Sequence, residues 1–174
     1  GCSSPKHSMS DQATATAQKN AGPQIQVDLQ ELLDSLFMVL TDKESMVIQK
    51  RFALNGEQKQ TLEKIGKHFN VTRERIRQIE SIALSKLKRT VRTTRLDEVN
   101  GLAKEILRNN GGLLREDRLI TECLKRIVGA KDVDGAVLRL SFSIDPDMIS
   151  GSRANSFISF WRIESLAMDD VSVI

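Results

Sequence analysis

The stretch that decides the fold is TLEKIGKHFNVTRERIRQIE, residues 61–80. Thr61 and Thr72 each precede a run in which apolar residues recur at helical spacing, and a threonine hydroxyl at such a position satisfies a free helix amide. Asn70-Val71 marks the turn between the runs. A short helix, a tight turn and a longer helix predict a helix-turn-helix, in which the first helix braces the second. Gly66 inside the first helix is expected where the two helices cross closely; a neutral surface glycine is the alternative.

Two supporting helices are predicted upstream of this motif. In VDLQELLDSLFMVL, residues 27–40, leucines recur at helical spacing. Thr41 and Glu44 form a capping box, in which the threonine accepts from an amide three residues on and the glutamate reaches back. The box opens a second helix with Val47 and Ile48 on its inner face.

The second helix of the motif combines an apolar stripe with a crowded polar face. The stripe consists of Ile76, Ile79, Ala83 and Leu87. Arginine pairs with guanine at its major-groove edge, glutamine pairs with adenine, and glutamate accepts from the cytosine amino group. The predicted base-reading residues, near the helix end that enters the groove, are Arg73, Glu74, Arg77 and Gln78. The predicted contacts with the DNA backbone are Thr61, Thr72, Arg75, Lys86, Lys88 and Arg89.

Two simpler interpretations of this polar face stay open. An ordinary surface helix also carries a solvated polar face. A carboxylate facing DNA repels phosphate, so Glu74 has a role there only if it reads a base or orients a neighbouring arginine. Alternatively, Glu74 forms an intrahelical network with Arg77 and Gln78 that contributes a few tenths of a kcal/mol.

Positive charge is concentrated in the same part of the chain. The net charge of all 174 residues is only +3. Residues 42–95 alone contain 14 basic and 6 acidic side chains, which gives +8. A local basic block steers a domain toward a polyanion even when the whole chain is nearly balanced.

A second unit is predicted after a polar, basic linker at residues 91–95. Three amphipathic segments precede two strands, and this order is typical of a winged helix. The hairpin tip carries Arg153, and Trp161 is expected to pack beneath the wing. The predicted fold is therefore mainly α, with a helical helix-turn-helix domain at 27–90 and a small winged-helix (α+β) domain at 96–165.

The remaining composition excludes several classes of protein. Residues 1–26 are low in complexity and predict a disordered tail, and residues 166–174 form a C-terminal tail. Cys123 lies among apolar residues at helical spacing and is expected to be a reduced core thiol, as in the cytoplasm. No membrane span, metal cluster, phosphate loop or catalytic constellation is found in the sequence. We therefore expect no enzyme activity, metal or cofactor.

Residues 29–90 resemble region four of housekeeping-type bacterial sigma factors, through LTDKESMVIQKRF and TLEKIGKHFNVTRERIRQIESIALSKLKR. The resemblance implies a helix-turn-helix that reads the minus-thirty-five promoter element in double-stranded DNA and binds the β-subunit flap of core RNA polymerase. It implies base reading by the four residues already named. It also implies a polymerase-binding surface on the first two helices, for which the candidates are Leu36, Phe37 and Val47.

The chain departs from that family in two respects. Only the low-complexity tail precedes residue 27, without the aromatic-rich region that melts promoters, so we expect a fragment of a longer sigma factor or an accessory protein. Residues 96–165 resemble the HARE-type winged helix of the polymerase δ subunit, which implies binding either to DNA or to a further protein. The leading hypothesis is a promoter-binding regulator of initiation; the alternative is an anti-sigma-like decoy that binds polymerase or sigma without reading DNA.

Overall fold

The computed structural model describes residues 22–152 and 159–164. Within these ranges the helices are α1 (Leu29–Phe37), α2 (Asp42–Phe52), α3 (Leu62–Phe69), α4 (Arg73–Lys88), α5 (Leu96–Asn109), α6 (Glu116–Lys125) and α7 (Gly135–Ser143). The strands are β1 (Leu113–Arg115), β2 (Met148–Ser152) and β3 (Ser159–Ile163). Short 3-10 turns lie at Val91–Thr93 and Asp132–Asp134. The predicted fold class is confirmed: a helical helix-turn-helix is followed by a small winged unit.

Threonine caps begin α2, α3 and α4 of the first unit, as predicted, whereas Asp28 caps α1. The Thr41 hydroxyl accepts from the Glu44 amide at 3.2 Å, and the Glu44 carboxylate accepts from the Thr41 amide at 2.9 Å, which completes the capping box. Thr61 and Thr72 each accept from the amide three residues on, both at 3.1 Å. These bonds satisfy helix amides that would otherwise have no partner, and they fix where α2, α3 and α4 begin.

Gly66 allows the close approach that holds the helix-turn-helix together. A Cβ atom added at Gly66 would lie 2.8 Å from the carbonyl oxygen of Val71, which is closer than real Cβ atoms come to other heavy atoms. The nearest contact is with the turn, and the backbone nitrogen of Arg73, the first residue of α4, lies 3.5 Å from the added atom. Asn70 ends α3 in the left-handed region, with φ of 56°, and so turns the chain back over Gly66. The predicted turn at Asn70-Val71 is therefore confirmed.

The second unit has the helix and strand order of a winged helix. β3 lies at the centre of an antiparallel sheet with strand order β1-β3-β2. Trp161 on β3 is 4% exposed, and its ring packs edge-on against Phe142 with a centroid distance of 5.7 Å. The prediction of a packed core aromatic is confirmed. The sequence did not predict β1, and the third amphipathic segment forms a helix from Gly135, after a 3-10 turn at Asp132–Asp134.

The segments predicted to be a tail and a linker pack on the folded units where the structure describes them. Ile25 forms a parallel bridge to Ile127, with its amide donating to the carbonyl oxygen of Arg126 at 2.8 Å. Val91 in the linker is buried, and the Arg95 guanidinium donates to the carbonyl oxygen of Gln26 at 2.6 Å. Residues 22–26 are thus held by the second unit. The rest of the predicted tails and Arg153 lie outside the described residues.

The two predicted domains share one hydrophobic core. A single cluster of buried side chains extends from α1 through α2 and α4 into α5, α6, α7 and the sheet. α7 packs against both α1 and α2. A smaller cluster, formed by Val47, Ile65, Ile76 and Ile79, lies within the helix-turn-helix itself. Cys123 belongs to the shared core as predicted, and burial raises the pKa of its thiol to about 12.

A buried polar network joins α5 to the chain that follows α7. The side-chain amide of Asn100 donates to the Ser141 carbonyl oxygen at 3.1 Å and to Asp145 Oδ2 at 3.0 Å. Lys104 Nζ lies 3.0 Å from Asp145 Oδ2 and 3.3 Å from Asp147 Oδ2. Asp145 is almost fully buried and also accepts from the Asp147 amide at 2.8 Å, so its charge is compensated by Lys104 and by these two hydrogen bonds.

Candidate nucleic-acid interface

The predicted base-reading side chains lie together on the first two turns of α4. All four, Arg73, Glu74, Arg77 and Gln78, are exposed. The predicted apolar stripe faces inward, since Ile76, Ile79, Ala83 and Leu87 are all buried. Packing of that stripe leaves the N-terminal end of α4 free to present its polar side chains to a groove.

Glu74 and Arg77 form a bidentate ion pair along the helix. Arg77 Nε lies 2.9 and 3.0 Å from the two Glu74 carboxylate oxygens, and Arg77 Nη2 lies 2.5 Å from Oε1. The hydrogen bond from Arg77 lowers the pKa of Glu74, and the same contact raises the pKa of Arg77. The intrahelical pair is therefore present, and it fixes the direction in which the guanidinium points.

The sequence suggested a network of Gln78 with Glu74 and Arg77, but in the structure Gln78 contacts Arg75. Arg75 Nη1 donates to Gln78 Oε1 at 3.3 Å, so Gln78 does not join the Glu74–Arg77 pair. This bond uses the side-chain oxygen of Gln78. The side-chain nitrogen of Gln78, a hydrogen-bond donor, does not contact Arg75. Arg75 lies beside the predicted reading residues, and its contact with the DNA backbone stays a prediction.

The residues predicted to contact phosphate fall into two groups. Thr61, Thr72, Lys88 and Arg89 are exposed around the ends of α3 and α4. Lys86 differs, because its ammonium contacts the Glu44 carboxylate oxygens at 2.8 and 3.0 Å. Burial raises the pKa of Glu44, but the hydrogen bonds from Lys86 and the Thr41 amide outweigh this effect and lower it overall. The structure thus shows Lys86 engaged in the packing of α4 on α2, and its contact with phosphate stays a prediction.

Two of the three residues predicted to bind polymerase are inaccessible. Leu36 is 1% exposed and Val47 is 0% exposed, so the prediction of a surface role for them is wrong; Phe37 is half-buried. Helical spacing marked them correctly as apolar-face residues, but that face is covered by the rest of the chain. The large apolar side chains that are exposed on this part of the molecule are Met38 at 84%, Val39 at 45% and Met46 at 40%. These three side chains do not follow the spacing of the buried residues of α1 and α2. This difference was the signal in the sequence that could have identified them as exposed.

The described residues contain neither a metal-ligand cluster nor a membrane-spanning helix. No group of three histidine, cysteine, aspartate or glutamate side chains in 22–152 and 159–164 comes together in a way that would hold a metal. Among the helices of those same ranges, none combines the length and apolar character that crossing a bilayer requires.

A helix-turn-helix that presents arginine, glutamate and glutamine from the start of its second helix defines a DNA-binding module. Comparison with known families agrees: residues 36–89 match the family described as Sigma-70, region 4. The match covers about a third of the chain, from the end of α1 to the residue after α4. Residues 36–89 are thus similar to a sigma-type DNA-binding transcription domain. The similarity of residues 96–165 to the δ subunit stays a prediction.

Proposed function

We propose that the chain reads a minus-thirty-five-type promoter element through α4 and contacts core RNA polymerase, and so regulates the initiation of transcription. The observation that carries this proposal is the exposed group of Arg73, Glu74, Arg77 and Gln78 on one face of α4. A module that only occupied polymerase would have no use for four side chains with base-reading chemistry at the end of the helix that enters the groove.

The Glu74–Arg77 pair supports a reading role for both residues. A carboxylate near DNA repels phosphate, but here its charge is matched by three contacts from the Arg77 guanidinium before DNA arrives. The pair holds Arg77 in one direction, which reduces the side-chain entropy lost when the arginine binds a base edge. Arg73 has no ion pair among the described residues and is free to bind guanine through both of its terminal nitrogens.

Removing a reading side chain is expected to weaken discrimination between duplexes more than affinity for random DNA. We expect Arg73→Ala and Gln78→Ala each to lose roughly 1–3 kcal/mol of preference for the selected duplex, as befits one bidentate base contact. The preferred duplex is first selected from a randomised pool with the wild-type chain, and both variants are then titrated against that duplex and a scrambled one.

Arg108→Ala provides the matched control, because Arg108 is an exposed arginine on α5 in the second unit. We expect this variant to keep the wild-type ratio of affinities for the two duplexes. Equal losses on selected and scrambled DNA for Arg73→Ala and Gln78→Ala would contradict the assignment of base reading to α4.

The exposed apolar side chains at the α1–α2 end of the molecule support the polymerase contact. Met38 and Val39 lie on the connection between α1 and α2, and Met46 lies on α2. Exposed large apolar side chains mark interaction surfaces when they lie close together, and methionine adapts its shape to a partner. We place the contact with the polymerase flap on these residues, in place of Leu36 and Val47.

A charged substitution at this surface is expected to remove polymerase binding and leave DNA binding intact. We expect Met38→Glu to reduce retention of purified bacterial core RNA polymerase on the immobilised, nuclease-treated chain by at least about tenfold, which corresponds to 1.4 kcal/mol. Val133→Glu is the control, because Val133 is also an exposed apolar side chain, at 46%, and lies in the second unit. Unchanged retention by Met38→Glu would refute this placement.

The same two experiments separate the proposed regulator from the decoy. Polymerase retention without any duplex preference would favour the decoy, which binds polymerase or sigma and reads no DNA. The third hypothesis, a C-terminal part of a longer sigma factor, predicts the same residue roles within 36–89.

A further inference from the structure

The helix that would read a duplex in the second unit is covered by the first unit. In a helix-turn-helix the second helix enters the groove, and in the second unit α6 and α7 hold these two positions. No residue of α7 is exposed, and α7 packs on α1 and α2. A nucleic acid that binds the second unit therefore has to use another surface, and the outer face of the sheet is the candidate.

Alternation along β3 gives the sheet an inner and an outer face. Trp161 and Ile163 are buried in the shared core, and successive side chains of a strand point to opposite sides of a sheet. Phe160 and Arg162 therefore lie on the outer face, where both are only partly buried. Because β3 is the central strand, these two side chains lie in the middle of that face.

One row of outer-face residues places an aromatic ring between a cation and a gap. Phe160 is paired with Arg115 of β1 on one side and with Gly151 of β2 on the other. Gly151 has no side chain, and a Cβ atom added there would meet no atom within 4 Å. The flank of the Phe160 ring that lies over β2 is therefore open.

The next row of the outer face places a second cation between two aliphatic side chains. Arg162 is paired with Leu113 of β1 and with Ile149 of β2. Leu113 is exposed and Ile149 is partly buried. A cavity of about 240 Å³ lies over the two rows, and its lining comes from all three strands: Leu113, Ile149, Gly151, Ser152, Phe160 and Arg162.

The two arginines give this face its positive charge. Arg162 is the only charged residue in the lining of the cavity. No carboxylate of the described residues lies within ion-pair distance of its guanidinium. Arg115 Nη2 lies 3.0 Å from Asp117 Oδ2, but both of these side chains are exposed. An exposed pair of this kind contributes little free energy, so it does not prevent Arg115 from binding another anion.

An aromatic ring with an open flank and arginines beside it is suited to unpaired bases. Every base has a face that stacks on an aromatic side chain, and cations along the same surface hold the phosphates. A duplex cannot use the ring in this way, because its base faces are covered within the stack. The arrangement on the outer face therefore favours a single strand.

We propose that the outer face of this sheet binds single-stranded DNA, with one base stacked on Phe160 and the adjoining phosphates held by Arg115 and Arg162. Recognition is by stacking and charge, and so does not depend on sequence. The choice of DNA rests on the proposed function, because a promoter that opens beside the bound chain supplies unpaired DNA. The lining also has one hydroxyl, that of Ser152, and no amide side chain, so it offers few partners to the 2′-hydroxyl that distinguishes RNA.

Substitution of Phe160 tests the stacking contact. A labelled oligodeoxyuridylate of about 15 nucleotides, a length within the site sizes of single-strand-binding folds, is titrated with the full chain and followed by fluorescence anisotropy. We expect Phe160→Leu to weaken binding at least about fivefold, which corresponds to about 1 kcal/mol for one stacked base. Phe160→Tyr keeps the ring and is expected to keep the wild-type affinity. Wild-type affinity of the leucine variant would overturn the inference, since a partner that needs only an apolar surface tolerates leucine.

Salt dependence of the same titration tests the phosphate contact. Each phosphate of a single strand that is neutralised contributes about 0.7 to the magnitude of the slope of log affinity against log salt concentration. We expect Arg162→Met to reduce that magnitude by up to about 0.7. Lys125→Met is the matched control, because it removes the same unit of charge at the far end of α6, about 14 Å along the helix from Glu116, the residue that follows β1. Equal slopes for the two variants would overturn the phosphate contact.

Two comparisons separate this inference from the proposed function and from RNA binding. Phe160→Leu is expected to keep the wild-type preference between the selected and scrambled duplexes. A wild-type chain that prefers the selected duplex but does not bind oligodeoxyuridylate would overturn the inference alone. Single-strand binding without any duplex preference would support the inference and refute base reading. Oligouridylate, which differs by its 2′-hydroxyls, is titrated in parallel, and tighter binding of this RNA would overturn the choice of DNA.

Discussion

We expect Lys104→Met to lower the free energy of unfolding by about 3–5 kcal/mol, the usual effect of removing one partner of a buried ion pair. Lys104 Nζ lies 3.0 Å from a carboxylate oxygen of Asp145, and both side chains are largely buried. Methionine keeps the length and packing of lysine but leaves the Asp145 charge without its cation. Asn100 still donates one hydrogen bond to Asp145, which does not neutralise a charge in a low-dielectric interior. Urea unfolding monitored by Trp161 fluorescence measures the change.

Two further variants separate charge compensation from packing. Lys125→Met removes an exposed lysine that pairs with Glu122 at 3.5 Å, and we expect a change within about 0.5 kcal/mol. The double variant Lys104→Met/Asp145→Asn is expected to be more stable than Lys104→Met alone, because the buried charge is gone while its partner Asn100 remains. A double variant no more stable than the single one would show that Lys104 acts through packing.

Gly66→Ala is expected to destabilise the chain by about 3 kcal/mol, the upper part of the range for overpacking, although alanine is the better helix former. The added methyl carbon would lie 2.8 Å from the Val71 carbonyl oxygen. That oxygen belongs to the backbone of the turn, so relief requires the turn to move away from α3. Chemical unfolding measures the loss, and a weakened duplex preference at a temperature where the chain stays folded would report the displaced α4.

Gly101→Ala is the same substitution at another helix position, and we expect it to stabilise the chain. Gly101 lies inside α5, and an added Cβ would meet no atom within 4 Å. Here only helix propensity acts, so we expect a gain of up to about 1 kcal/mol. If both glycine variants stabilise the chain, the contact of Gly66 with the turn does not limit its substitution.

Local signals predicted the helix-turn-helix because its determinants lie close together in sequence. Thr61, Thr72, Gly66 and the Asn70-Val71 turn act on neighbours within a few residues, and each was confirmed. The strand β1 was missed because LLR is three residues long and too short to show alternation.

Contacts between residues far apart in the sequence explain why some predicted site residues are paired or buried in the structure. Lys86 is engaged by Glu44, 42 positions earlier in the chain, and no local pattern shows that pairing. Periodicity placed Leu36 and Val47 on apolar faces, but it does not tell which faces the rest of the fold covers.

The core shared by the two units has a thermodynamic consequence. Because α7 is buried against α1 and α2, disruption of either unit exposes apolar surface of the other, so the two are expected to unfold together. Any ligand that binds only the folded second unit then stabilises α4 as well, by an amount set by its concentration relative to its Kd. Binding of a ligand to the winged unit thereby raises the fraction of molecules in which the DNA-binding helix is formed, without contact between that ligand and the DNA.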